Sequence, residues 1–181
     1  IGSYSLEHLR QSIGFAPQKA TLFSKTIADN LRYGKPDATA EEIVQALQSA
    51  NAKEFVDKLD AGTEHLLTQG ATNLSGGQKQ RLAMARSFIR KPSILILDDV
   101  TSAVDSISEK TIQRAIEEQF SDVTKVIVSS KISSIRHADQ ILVMDDGKIA
   151  AKGTHEQLLQ ESPLYQEMAR TQAEKGVTLS E

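Results

Sequence analysis

The sequence predicts an α/β chain with a parallel sheet at its core and a helical subdomain beside it. Three observations carry this. Ser93-Ile94-Leu95-Ile96-Leu97 is too short for a helix and apolar on both faces, which is how a buried parallel strand reads. A helix over about 105–119 follows, then a second apolar strand, Lys125-Val126-Ile127-Val128, and strand, helix, strand makes a βαβ unit. Residues 39 to 90, by contrast, carry helical periodicity without a strand pattern.

Taken in order, residues 12–17 read as a short strand ending at Pro17, and 26–33 as a short helix stopped by Gly34 and Pro36. Residues 39–50 form the clearest amphipathic helix. Thr39 caps it, Glu42 completes a capping box, and Ile43, Ala46, Leu47 and Ala50 share a face. A helix over about 52–59 and a loop from Gly62 to Asn73 follow. Ser75 then caps a long helix over about 76–90, with Leu82, Ala85 and Ile89 on one face and Lys or Arg on the other. After the βαβ unit, Ile141–Met144 and Lys148–Ala151 flank Asp145-Asp146-Gly147, a hairpin turn. Helices over 155–161 and 163–174 close the chain, and 175–181 reads as a loose tail.

Composition narrows the function. With 39% hydrophobic and 25% charged residues, the 181-residue chain has the make-up of an ordinary globular domain. The absence of cysteine rules out disulfides and thiolate chemistry and fits a reducing compartment. A net charge of −3 disfavours broad nucleic-acid binding. The longest apolar run, Ile94–Leu97, is far below the roughly 20 residues a membrane span needs. The chain opens on Ile1 without a signal-peptide pattern, so a piece of a longer protein is expected.

Two motifs stand where chemistry is possible. Asp98 and Asp99 end a buried strand, the edge at which parallel α/β sheets bind ligands. A carboxylate there suits hydrated Mg²⁺, which takes few protein ligands and keeps its waters. Leu74-Ser75-Gly76-Gly77-Gln78 opens a helix, where glycines leave backbone N–H groups unshielded and the helix dipole favours anions. Each alone has a plain alternative, two acids ending a strand or a Ser-capped helix start.

In order and at this spacing, the motifs resemble the nucleotide-binding domain of the ATP-binding cassette (ABC) family, exporter type. Leu74–Gln78 is similar to the family's signature motif, Ile94–Asp98 to Walker B, and Ser102–Asp105 to the D-loop. Gln18, after Phe15-Ala16-Pro17, resembles the Q-loop glutamine. Leu22-Phe23, Thr26–Leu31 and Tyr33-Gly34 resemble the exporter segment beyond it. The resemblance covers about residues 5–172. It implies a P-loop NTPase (RecA-like) core, N-terminally truncated, with an ABC helical subdomain. The implied division is core with Q-loop over 1–34, helical subdomain ending in the signature helix over 35–90, core with Walker B, D-loop and switch region over 91–174, and tail over 175–181.

The resemblance also implies a mechanism. Two such domains close head to tail around two ATP molecules, coupled to a transmembrane domain expected upstream, on the cytoplasmic face of the cell membrane. Asp98 then holds Mg²⁺ through water, with Gln18 sensing metal and γ-phosphate, and Asp105 of the D-loop counts among the nucleotide-binding residues. Leu74, Ser75, Gly76, Gly77 and Gln78 serve the partner's nucleotide.

Four departures sharpen the expectation. No G-x-x-x-x-G-K-[ST] phosphate loop is present; Gly34-Lys35-Pro36 and Gly147-Lys148-Ile149 do not fit. Asp99 stands where the family has the Glu that positions water. Val128–Ile135 aligns with the switch segment and places Ser130 at the histidine position, where a short neutral side chain cannot replace imidazole. His137 is a poor substitute, and His8, His65 and His155 read as surface residues. Gln69 replaces a Glu of the loop before the signature. A weak site beside an intact signature motif resembles one half of a heterodimeric exporter, whose partner is a different subunit. The alternatives are a soluble, non-transport ABC ATPase and a non-catalytic regulatory or interaction module, and the 181 residues alone are expected to be inactive.

Overall fold

The computed structural model describes residues 3–178, with the side chains of Ser106 and 174–178 outside the description. The chain divides into two compact units, Ile1–Val128 and Ser129–Glu181.

The first unit is built on three parallel strands in the order β1 (Ile13–Ala16), β2 (Ile94–Asp98) and β3 (Thr124–Val128). Phe15 pairs with Ile96, which pairs with Val126, and Asp98 pairs with Val128 at the carboxyl edge. Two crossovers join the strands. The short one is α6 (Ser106–Gln119), completing the expected βαβ unit. The long one carries α2 (Ile27–Arg32), α3 (Ala40–Ser49), α4 (Lys53–Asp57) and α5 (Gly76–Phe88). An unforeseen helix, α1 (Leu6–Ser12), precedes β1; it buries no residue, so no apolar stripe announced it.

Side-chain chemistry fixes the helix starts. Thr39 and Glu42 form the expected capping box on α3, and Ile43, Ala46 and Leu47 turn inward. Ser75 and Gln78 form another on α5. From Leu82 onward α5 is buried on several sides, with Leu82, Met84 and Ala85 at or near zero exposure. The expected basic outer face is therefore corrected. Arg81 donates to the Asn51 carbonyl at 2.9 Å, Arg90 to those of Gly34 and Arg10, and Arg86 lies over the Phe23 ring. Burial pushes the Arg86 pKa below its ordinary value. The rings of Phe88 and Phe120 pack 5.0 Å apart, seating the end of α5 against the end of α6.

One sheet face is open, which corrects the expectation of strands buried on both faces. Phe15, Val126 and Val128 are 53%, 47% and 53% exposed, whereas Leu95 and Leu97 on the opposite face are buried. The loop 62–73 contains two short 3-10 turns, Gly62–Glu64 and Gln69–Ala71.

The second unit holds the hairpin β4 (Ile141–Asp145) and β5 (Lys148–Gly153), with α7 (His155–Glu161) and α8 (Pro163–Thr178). Its core gathers Ile132, Ile141, Val143, Leu158 and Tyr165. Helix α8 runs on to Thr178, through much of the expected tail; residues 179–181 lie outside the described residues. His155 is half-buried rather than a plain surface residue, and its Nδ1 lies 2.8 Å from the Tyr165 hydroxyl. Among the described residues no helix is long and apolar enough to cross a membrane.

Candidate active site

The carboxyl edge of the parallel sheet brings Gln18, Asp98 and Asp99 together. Asp98 is the last residue of β2, and Gln18 follows β1, the adjacent strand, by two residues. The Gln18 Nε2 donates to Asp99 Oδ2 at 3.2 Å, across 81 residues of sequence. Asp99 breaks the extended run with a φ of 47°, a left-handed conformation that Asp tolerates better than most side chains. Its N–H donates to the Val128 carbonyl at 2.8 Å, and its own carbonyl accepts from the Ser102 hydroxyl at 2.9 Å. The backbone is therefore held on both sides, which fixes where the carboxylate points.

That carboxylate is only half used. Oδ2 accepts from Gln18, while Oδ1 is buried without a hydrogen-bond partner among the described residues. A buried, unpaired carboxylate oxygen is costly unless a ligand, water or cation meets it. It fits a site for Mg²⁺ or an attacking water. No group of three or more His, Cys, Asp or Glu residues suited to a metal occurs among the described residues. Magnesium does not need one, since it binds through one or two carboxylates and substrate phosphates.

The second constellation opens α5. Leu74 is buried and anchors the loop, whereas Ser75 and Gly76 are exposed. Ser75 Oγ accepts from the Gln78 N–H at 3.2 Å, and Gln78 Oε1 accepts from the Ser75 N–H at 2.8 Å. The box uses those two amides, and the first-turn amides of Gly76 and Gly77 remain available for an anion. Gly77 is required by packing: a Cβ there would stand 2.8 Å from the Ala103 carbonyl oxygen. The start of α5 thus presses on the turn over 99–104 that leaves Asp99.

Asp105, expected to serve the nucleotide, caps α6 by accepting from the Ser108 N–H at 2.9 Å. That bond holds its carboxyl below the usual carboxylate range. Ser130 lies in the second unit, exposed, with its carbonyl accepting from Gln172 Nε2 at 2.8 Å. His137 is exposed and meets its neighbour Arg136. Sequence reasoning passed over Gln80. It is 3% exposed, and its Nε2 donates to the Pro17 carbonyl at 3.1 Å, one residue before Gln18. A polar residue standing one turn before Ala83 and Met84 of the core was the available signal.

A family model described as ABC transporter matches residues 1–102, more than half of the chain. The chain belongs to the ABC transporter family. It is 46% identical over 168 residues to the "Uncharacterized ABC transporter ATP-binding protein YknU" of Bacillus subtilis, an alignment covering 93% of this chain and 29% of that protein. It is 44% identical over 163 residues to the "Mitochondrial potassium channel ATP-binding subunit" of Rattus norvegicus, covering 90% and 23%. A solved structure of a bacterial Atm1-family ABC exporter with ATP bound superposes with a TM-score of 0.91 at 35% identity, over 96% of this chain and 30% of that one. The fold is therefore that of an exporter-type ABC nucleotide-binding domain with its P-loop NTPase core, as the sequence implies. The chain spans less than a third of the length of these relatives.

Proposed function

We propose that this ABC domain couples ATP binding and hydrolysis to export across a membrane. It works on the cytoplasmic face, with a transmembrane domain and the phosphate loop supplied by the longer protein. Its own nucleotide site is catalytically weak. Its motif Leu74–Gln78 completes the competent site of a second, different ABC subunit.

The observation that carries this is the bond from Gln18 to Asp99. It gathers the Q-loop glutamine, the Walker B Asp98 and the residue after it at one strand edge. When bound, ATP with Mg²⁺ supplies the phosphoanhydride that water cleaves. Asp98 would hold the cation by accepting hydrogen bonds from its water shell. Gln18 bridges from the adjacent strand and holds Asp99 in place. Asp99 accepts a proton from water through the free Oδ1, but its reach is one methylene shorter than Glu, and sub-ångström placement governs such steps. Ser130 offers a neutral hydroxyl in place of an imidazole, so it neither carries charge nor shuttles a proton near neutral pH. The exposed face with Phe15, Val126 and Val128 supports further protein packing on the sheet in the whole molecule.

The test is Ser75→Ala in the full-length protein paired with its partner subunit. Turnover of ATP falls by at least about tenfold, the range for losing one donor to a developing phosphate charge. Turnover within twofold of the unmodified assembly refutes the cross-site role.

A further inference from the structure

Gln80 sits in the second turn of α5, 3% exposed, one turn before the buried Ala83 and Met84. Burying an amide is costly unless it is bonded, and an apolar side chain of the same size would fill the space. Its bond is a specific one. The sheet ladder between β1 and β2 ends at Ala16 and Leu97. The next carbonyl, that of Pro17, accepts instead from Gln80 Nε2 at 3.1 Å. Pro17 directly precedes Gln18, whose Nε2 reaches Asp99 at 3.2 Å.

The chain then closes on itself. The Asp99 carbonyl accepts from Ser102, and four residues on, at the end of that turn, the Ala103 carbonyl oxygen lies 2.8 Å from where a Cβ on Gly77 would stand. Gly77 and Gln80 belong to one helix. The signature helix therefore touches the Asp99 site at two places, through Pro17 on one side and through the turn over 99–104 on the other. Only the Pro17 contact is made by a buried side chain with a donor.

We propose that Gln80 is a positioning residue. Through Pro17 it fixes the backbone from which Gln18 reaches Asp99, and so ties the state of this chain's own site to the Ser75–Gln78 motif that serves the partner. This rests on the function proposed above.

The experiment uses the full-length protein assembled with its partner subunit and measures nucleotide binding, kcat and KM for ATP, and melting temperature. Gln80→Met keeps the volume and loses the donor; Gln80→Glu keeps the shape and loses the amide donor. Both lower kcat about tenfold, with KM within twofold, a size typical of coupling residues that touch no ligand. Gln18→Ala combined with Gln80→Met costs no more than Gln18→Ala alone, because both act through one group. If Gln80→Met does not fold, Gln80→Glu carries the test. Unchanged kcat in the variants, a loss confined to KM, or effects that multiply with Gln18→Ala overturn the inference and leave the proposed function standing. An unmodified assembly that binds no ATP overturns both.

Discussion

Replacing Gly77 by alanine places a Cβ 2.8 Å from the Ala103 carbonyl oxygen, whereas the same change at Gly76 meets only the Ala103 Cβ at 3.9 Å. The two glycines are adjacent in the first turn of α5, so the substitutions share one helix and differ in what the methyl meets. Alanine over glycine favours the helix by up to about 1 kcal/mol. At Gly77 the crowded atom is backbone and cannot swing away, so the turn over 99–104 or the helix start must shift. Overpacking of this kind costs about 1–3 kcal/mol. Gly76→Ala is therefore neutral or mildly stabilising, and Gly77→Ala is destabilising relative to it by about 1–3 kcal/mol. For a protein of this size each kcal/mol moves the melting temperature by about 2–4 °C. Thermal melts of the two variants beside the unmodified protein read the difference directly. Coincident melts for Gly76→Ala and Gly77→Ala would refute the close approach of the start of α5 to Ala103.

Two further substitutions test the fold around the site. Asn30 is fully buried, accepts from the Phe23 N–H at 2.8 Å, and donates to the carbonyls of Phe23 and Thr26. Asn30→Leu strands those groups, at about 1–3 kcal/mol for each that stays buried; urea denaturation is expected to show a loss of at least about 2 kcal/mol, and a smaller one contradicts the bonding. Asp105 has a folded pKa held down chiefly by the Ser108 N–H, so its contribution is complete above the ordinary carboxylate pKa and disappears as pH falls through the lowered value. Asp105→Asn keeps a cap that does not titrate, so its stability falls less steeply below about pH 4 than that of the unmodified protein. Parallel acid-stability curves contradict the cap.

What was legible in the sequence was what short-range chemistry encodes. The apolar run Ile94–Leu97 ending in two acids announces β2 and the sheet edge, and Thr39 with Glu42 and the cap Ser75 announce their helices. What was not legible depends on distant partners. The bonds Gln18–Asp99 and Gln80–Pro17 span 81 and 63 residues, and no local pattern specifies them. The buried placement of α5 was hidden because Arg81, Arg86 and Arg90 read as a solvated face, yet their charged ends find carbonyls and an aromatic ring while their stems lie along the core. His155 looked exposed because its partner Tyr165 lies ten residues away, on the next helix. Helix α1 was missed because it contributes nothing to the core.

The central claim is that this chain's own site is weak because Asp99 and Ser130 stand where a longer carboxylate and an imidazole are needed. The direct measurement is steady-state ATP turnover by the full-length protein alone, without its partner, unmodified and as Asp99→Glu with Ser130→His. The account predicts slow turnover that rises at least about tenfold in the double variant, within the range a positioned general base supplies. Fast turnover by the unmodified protein, or no gain in the double variant, would contradict it.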